Sequence, residues 1–169
     1  MKAAPPTFQT VVSKLQAPAL VLLILFLALS CSSPQTPEEE IQEYVRTAEE
    51  AFAKKDAGDI KKLIARDYQD KRNLRRQDIT RILAGYFLRN QKAFILSTMD
   101  ELHFSDGDTT ADFRLFAALS ATPLSGNDLQ LLDADCYMLT GTLRKNGDWL
   151  LTTADLQRIS VDEFIGSLK

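Results

Sequence analysis

The side chains best suited to acid–base chemistry are two aspartates, each with a tyrosine two residues away. Asp70 follows Tyr68 in a polar connection between two predicted helices, and Asp135 precedes Tyr137 on a predicted strand with apolar neighbours. A carboxylate in a pocket can act as a general base, and a hydroxyl beside it can stabilise a developing enolate. These four residues are therefore the candidate catalytic residues of the sequence.

The same acids have a simpler interpretation, which the sequence leaves open. Asp70 stands in a connection with five basic residues, so it can cap a helix end or form an ion pair. The bases are Arg66, Lys71, Arg72, Arg75 and Arg76. Such a stretch is typical of a solvated turn, although it could also contact anionic lipid headgroups.

Other kinds of site lack the residues that they need. A single histidine, His103, excludes centres with several histidine ligands, and the two cysteines have no zinc-site spacing. The sequence has no glycine-rich phosphate loop and no Gly-x-Ser-x-Gly motif. With 20 basic and 23 acidic side chains, the net charge is −3, without the basic excess typical of nucleic-acid binding. We expect no metal, no cofactor and no nucleic-acid partner.

The N-terminal segment is typical of an export signal. A basic stretch precedes an uninterrupted apolar run over residues 19–29, which is followed by Ser30 and Cys31. The run is too short to span a bilayer as a helix, which takes about 20 residues, and its order of basic, apolar and small residues predicts a secretory signal peptide. Residues 28–31 (Ala-Leu-Ser-Cys) resemble the lipobox of bacterial lipoproteins. The resemblance implies that the Cys31 thiol receives a diacylglycerol, that the chain is cut before Cys31, and that the new N-terminus is acylated, as with palmitate.

This resemblance implies a membrane-anchored protein. It assigns residues 1–30 to a lipoprotein signal peptide and residues 31–37 to the lipidated Cys31 and a short tether. Two or three acyl chains would hold the protein stably on the membrane. Ser32 after the cysteine, rather than Asp, resembles lipoproteins that are sorted to the outer membrane. We therefore expect a lipid-anchored protein of the cell envelope that faces the periplasm.

After the tether, the apolar residues recur first with a helical period and then with a period of two. Thr36 and Pro37 begin a predicted helix over residues 37–54, a second helix ends near Arg66, and a third covers about residues 76–89. The later pattern predicts strands over residues 92–104, 109–120, 129–144 and 148–159.

Two local features of the strands carry further expectations. The apolar pattern changes parity near residues 98–101 and again near residues 152–154, which predicts bulges that bend the sheet. Trp149 opens the last strand after a tight turn and should lie against the helices.

Three helices followed by four antiparallel strands predict an α+β domain. This order resembles the nuclear transport factor 2-like fold (NTF2-like or SnoaL-like, a cystatin-like fold), in which a curved antiparallel sheet wraps around helices. Residues 56–59 (Asp-Ala-Gly-Asp) and 147–151 (Gly-Asp-Trp-Leu-Leu) are similar to the family's first helix break and terminal strand. Residues 67–70 and 85–89 resemble stretches of uncharacterised bacterial lipoproteins of this superfamily. The resemblance covers residues 38–160 and leaves residues 161–169 as a C-terminal tail.

The resemblance also implies a pocket between the sheet and the helices. We favour a non-catalytic module that binds a small apolar ligand or an envelope protein, and that could form a homodimer through the exposed sheet face. The alternative is a small enzyme of the isomerase, cyclase or hydratase type, with a pocket aspartate as general base. A purely structural envelope spacer fits the anchor but leaves the pocket unused. The fold alone does not choose between these functions.

Overall fold

The order of elements matches the sequence prediction, with one further helix at the end. A computed structural model describes residues 35–90, 93–121 and 134–168, so the predicted signal peptide and Cys31 lie outside the described residues. The chain from Thr36 onward forms one compact unit. The helices are α1 (Pro37–Ala53), α2 (Ala57–Lys62), α3 (Arg76–Arg89) and α4 (Val161–Ser167). The strands are β1 (Phe94–Ser105), β2 (Thr110–Ser120), β3 (Asp135–Asn146) and β4 (Asp148–Ile159).

Helix α1 begins where the sequence predicts. The Thr36 hydroxyl accepts a hydrogen bond from the backbone N–H of Glu39 at 3.2 Å, and the Glu39 carboxylate accepts one from the Thr36 N–H at 3.0 Å. This reciprocal pair satisfies N–H groups that have no partner inside the helix. Pro37 at the first helical position needs no N–H partner.

Helix α2 ends earlier than the predicted end near Arg66. The backbone N–H of Ala65 donates to the carbonyl of Leu151 at 2.9 Å, and the N–H of Leu151 donates to the carbonyl of Leu63 at 3.0 Å. The chain after Leu63 therefore pairs with β4 instead of continuing the helix. Periodicity alone does not reveal this, because the partner strand lies far along the sequence.

The four strands form one antiparallel sheet in the order β1-β2-β3-β4. The register shifts between Met99 and Glu101 on β1, and again where β4 pairs with Thr142 and Leu143. Both irregularities fall where the sequence predicts bulges, and they bend the sheet around the helices. The side of the sheet that faces α1 is called the concave face below, and the opposite side the convex face.

Gly141 of β3 lies beside the second irregularity, at Thr142 and Leu143, where there is no room for a side chain. A Cβ at this position would come within 2.7 Å of the Thr153 carbonyl oxygen and 3.0 Å of the Phe113 ring. No side chain fits there without moving the β4 backbone, so the bend requires glycine.

The hairpin end of the concave face, where β1 turns into β2 and β3 into β4, is filled by side chains. Trp149 is 5% exposed and packs in a cluster with Ile41 of α1 and Leu143 of β3. Its indole N–H donates to the Glu40 carboxylate at 2.8 Å, and the Lys145 ammonium donates to the same carboxylate at 2.7 Å. The prediction that Trp149 lies against the helices is confirmed.

Helix α4 packs on the convex face and is the element that the sequence prediction lacked. Residues 161–169 were expected to be a tail, yet Phe164 is fully buried in a cluster with Phe116 and Cys136. Ser160 caps the helix by accepting from the Glu163 N–H at 3.2 Å. The folded part of the chain therefore extends beyond residue 160. Burial raises the pKa of the Cys136 thiol, as expected for an inert core cysteine.

Candidate functional site

The other end of the concave face is hollow. A cavity of about 400 Å³ lies between the sheet and the helices, with walls from α1, α2, α3 and all four strands. Most of the wall is aliphatic or aromatic, including Phe52, Ile95, Leu115, Leu119 and Leu139. The volume falls in the range of about 300–1,000 Å³ that is common for sites that bind small molecules.

The cavity opens between α3 and β4. Ile82 of α3 and Leu156 of β4 both line it, yet they are 54% and 49% exposed. Single exposed apolar side chains are common on folded domains, but these two stand at the mouth of an apolar cavity. An apolar molecule that entered the cavity would cover both.

One carboxylate belongs to the cavity wall. Glu49 of α1 accepts a hydrogen bond from the hydroxyl of Ser97 on β1, with 2.5 Å between the two oxygens. The bond crosses from helix to sheet, and it holds the carboxylate in an otherwise apolar surface. Among the lining residues that the structure describes, Glu49 is the only one with a charged side chain.

Three tyrosines contribute to the wall. Tyr44 donates its hydroxyl hydrogen to the carbonyl of Leu63 at 3.1 Å, and burial raises its pKa far above the ordinary value. The pKa of Tyr86 is raised by burial and, to a smaller extent, by the nearby Asp135 and Tyr137. Tyr44 and Tyr86 are therefore neutral at physiological pH, when their hydroxyls can donate hydrogen bonds.

The structure brings one of the four predicted catalytic residues to the cavity wall. Tyr137 lines the cavity next to Leu139. Asp135, two residues before it on the same face of β3, forms an ion pair with the guanidinium of Arg158. Its carboxylate is thus engaged at the beginning of β3, and Asp135 is not among the residues that line the cavity.

Asp70 and Tyr68 lie elsewhere, in the connection between α2 and α3. Both are buried, and neither is among the residues that line the cavity. The Asp70 carboxylate accepts backbone N–H bonds from Arg72 and Leu74, each at 2.8 Å, and it lies 3.3 Å from the Arg72 guanidinium. The pKa of Tyr68 is raised by burial and by the charge of Asp70. This arrangement corresponds to the ion-pair interpretation that the sequence left open, and the carboxylate caps the turn before α3 instead of a helix end.

Sequence reasoning missed Glu49, although a signal for it exists. Glu49 follows Val45 by four residues and precedes Phe52 by three, so it falls on the apolar stripe of α1. An acid on the inward face of an amphipathic helix is a reason to look for a polar partner or a site. Its partner, Ser97, is 48 residues away in the sequence, and only the fold shows the pair.

The described residues lack two other features, a metal site and a membrane-spanning helix. No group of three or more His, Cys, Asp or Glu side chains within ranges 35–90, 93–121 and 134–168 is placed to hold a metal ion. In the same part of the chain, no helix is long and apolar enough to cross a membrane.

No protein-family model matches the sequence, and no curated protein matches it either. Solved structures do share the fold. One is a candidate scytalone dehydratase from Novosphingobium aromaticivorans, with a TM-score of 0.57 and 14% identity over 72% of this chain and 83% of that one. Another is a candidate dehydratase of the NTF2-like family from Streptomyces avermitilis, with a TM-score of 0.56 and 15% identity over 75% and 99% of the two chains.

A third similar structure is a domain of unknown function with a cystatin-like fold from Nostoc punctiforme. Its TM-score is 0.57, at 11% identity over 78% of this chain and 83% of that one. At such identities the likeness shows the fold alone. The chain therefore carries a domain of the cystatin-like, NTF2-like α+β fold, as the order of its helices and strands implied.

Proposed function

We propose that this chain is a lipid-anchored protein of the bacterial envelope whose domain binds a small, largely apolar molecule without transforming it. The cavity carries the proposal, because its wall is apolar and it opens between two exposed apolar side chains, Ile82 and Leu156. A ligand that filled this space would remove apolar surface from water, which favours binding by roughly 25 cal/mol per Å² before the costs of association.

The proposed location rests on the sequence before the domain. The apolar run over residues 19–29 and the Ser30-Cys31 pair support lipidation and attachment to the outer membrane, facing the periplasm. Cells grown with a labelled fatty acid should incorporate it into the wild-type protein and not into Cys31→Ser. Equal labelling of the two proteins would contradict the anchor.

The binding module is favoured over the enzyme for a specific reason. The aspartates that the sequence offered as a general base are engaged by other groups, Asp70 by backbone N–H donors and Asp135 by Arg158. The carboxylate in the cavity wall, Glu49, is itself hydrogen-bonded to Ser97. The enzyme remains the alternative because candidate dehydratases share the fold. Recovery of a chemically altered compound after incubation with the purified domain would favour the enzyme.

Binding in the cavity can be tested with an uncharged apolar dye, N-phenyl-1-naphthylamine, whose fluorescence rises in an apolar environment. A soluble chain that starts at Ser32 avoids dye binding to the signal segment. Leu139→Trp places a large ring in the cavity, whereas Leu88→Trp makes the same change at a position that is 88% exposed. We expect the dye signal to be lost in Leu139→Trp and kept in Leu88→Trp. Equal signals in two folded variants would contradict the proposal.

The partners implied by the family resemblance, a homodimer and an envelope protein, stay predictions. Helix α4 covers part of the convex face with Phe164, so a homodimer through this face would have to use the remainder. Sedimentation of the soluble chain over a range of concentrations measures whether it dimerises.

A further inference from the structure

In the part of the chain that the structure describes, Glu49 has no positively charged partner, although it lines an apolar cavity; in this it differs from the acids of α1 that contact other side chains of the fold. Glu43 and Glu50 both pair with Arg46 on the solvent side of the helix, and Glu40 pairs with Lys145. The Glu49 carboxylate has the Ser97 hydroxyl as its hydrogen-bond donor, and no cationic side chain among the described residues forms an ion pair with it.

The surroundings of this carboxylate are apolar. Ser97 lies between Ile95 and Met99 on the concave face of β1, and all three line the cavity together with Val45 of α1. A charged group in such a setting is costly unless it is paired, and an opposite charge placed beside it interacts more strongly than it would in water.

The carboxylate has capacity for a further donor. Ionised, it accepts hydrogen bonds at about four sites and donates none, and Ser97 supplies one donor. A ligand group that is both positively charged and a donor would complete the pair. An anionic group would be repelled and would find no donor on Glu49.

We propose that the ligand of the cavity is an amphiphile with an apolar body and a protonated amino group, and that Glu49, held by Ser97, receives this amino group. The inference rests on the proposed function, since it names the ligand class of the same cavity. The apolar body would lie against the wall that includes Leu115 and Leu139.

Three isosteric probes separate the contribution of the charge from that of the apolar body. Cyclohexylmethylamine, cyclohexylmethanol and cyclohexanecarboxylate share the ring and differ in the polar group. Binding of each to the full chain in phosphatidylcholine nanodiscs is measured by calorimetry, with empty nanodiscs to subtract partitioning into lipid. In the wild type we expect the amine to bind at least about tenfold more tightly than the carboxylate, as a charge-assisted hydrogen bond would give.

Two matched variants assign this preference to Glu49. Glu49→Gln keeps the shape of the side chain and should abolish the preference for the amine over the carboxylate, while the alcohol should still bind. Glu50→Gln changes the adjacent acid, which faces Arg46, and should leave the preference intact. Detectable binding of the alcohol also shows that the Glu49→Gln cavity is still formed.

The outcomes distinguish this inference from the proposed function. If the alcohol binds but the amine is not preferred, or if Glu49→Gln keeps the preference, the inference is overturned and the apolar site stands. If none of the probes binds to the wild type, the proposed function falls and the inference falls with it.

Discussion

The two ends of the concave face differ in how they are filled, although helix α1 and the sheet contribute to both. At the hairpin end, Trp149 and Phe104 meet edge to face with their ring centres 6.2 Å apart, and Ile41 of α1 packs in the same cluster. At the opposite end, α3 faces the sheet across a cavity whose wall is made mostly of aliphatic and aromatic side chains such as Leu139 and Phe52. We infer from this difference that the filled end stabilises the fold, and we propose that the hollow end admits a ligand.

Helix α1 carries Glu40 at the filled end of the concave face and Glu49 at the hollow end, and these two acids show the same contrast. Glu40, at the filled end, accepts hydrogen bonds from Lys145 and Trp149. Glu49, nine residues further along, accepts one from Ser97. A carboxylate whose partners come from its own fold contributes to stability, whereas one with unused acceptor capacity in an apolar cavity is placed to meet a ligand.

The largest expected effect is at the filled end. Trp149→Ala removes a nearly fully buried ring and should lower the free energy of unfolding by about 3–5 kcal/mol. Leu139→Ala at the hollow end should fall near the lower limit of the roughly 2–5 kcal/mol known for such truncations, because its surroundings are already open. Urea unfolding of the soluble chain measures both. Equal losses would contradict the contrast between the two ends.

Asp70 is a third acid for this comparison, and its carboxylate already accepts hydrogen bonds from backbone N–H groups of its own fold. Asp70→Ala leaves the backbone N–H groups of Arg72 and Leu74 without their acceptor, and it should cost about 1–3 kcal/mol. Asp67→Ala breaks an exposed pair with Arg144 and should change the stability little, because water and salt screen such a pair. A loss for Asp70→Ala no greater than that for Asp67→Ala would show that the buried cap is not structural.

A smaller effect should appear on acidification. Hydrogen bonds from Lys145 and Trp149 hold the pKa of Glu40 below its ordinary value of 4.5. Since the folded state binds this proton less tightly than the unfolded state, Glu40 stabilises the fold above its ordinary pKa, and the contribution is lost as pH falls through the lowered value. Melting temperatures between pH 7 and pH 3 should therefore fall less steeply in Glu40→Gln than in the wild type. If the melting temperatures of the two proteins fall in parallel with pH, the pairing of Glu40 with Lys145 and Trp149 is contradicted.

Local patterns in the sequence predicted most of the fold. The capping residue Thr36 marked the start of α1, and shifts of parity marked both bulges. Helix α4 was missed because its 7 residues are too few to show a period, although Ser160 and Glu163 mark its start. The early end of α2 depends on pairing with Leu151, which no local pattern contains.

The candidate site was harder to predict than the fold. Spacing identified tyrosines and aspartates near one another, and Tyr137 does lie on the cavity wall. The sequence does not show which acids have partners, because these come from distant elements: Ser97 for Glu49, and Arg158 for Asp135. Which end of the concave face is hollow also depends on how far α3 lies from the sheet, and this is a tertiary property.

The most direct test of the binding cavity is a map of side-chain methyl signals by nuclear magnetic resonance. The soluble chain is titrated with cyclohexylmethanol, which probes the apolar wall without charge. We expect shifts at Ile95 and Leu115, which line the cavity, and none at Ile159 and Ile165, which pack in the cluster around Phe164 on the convex face. Shifts centred on Ile159 and Ile165, or no shifts at saturating probe, would contradict a ligand site in the hollow end of the concave face.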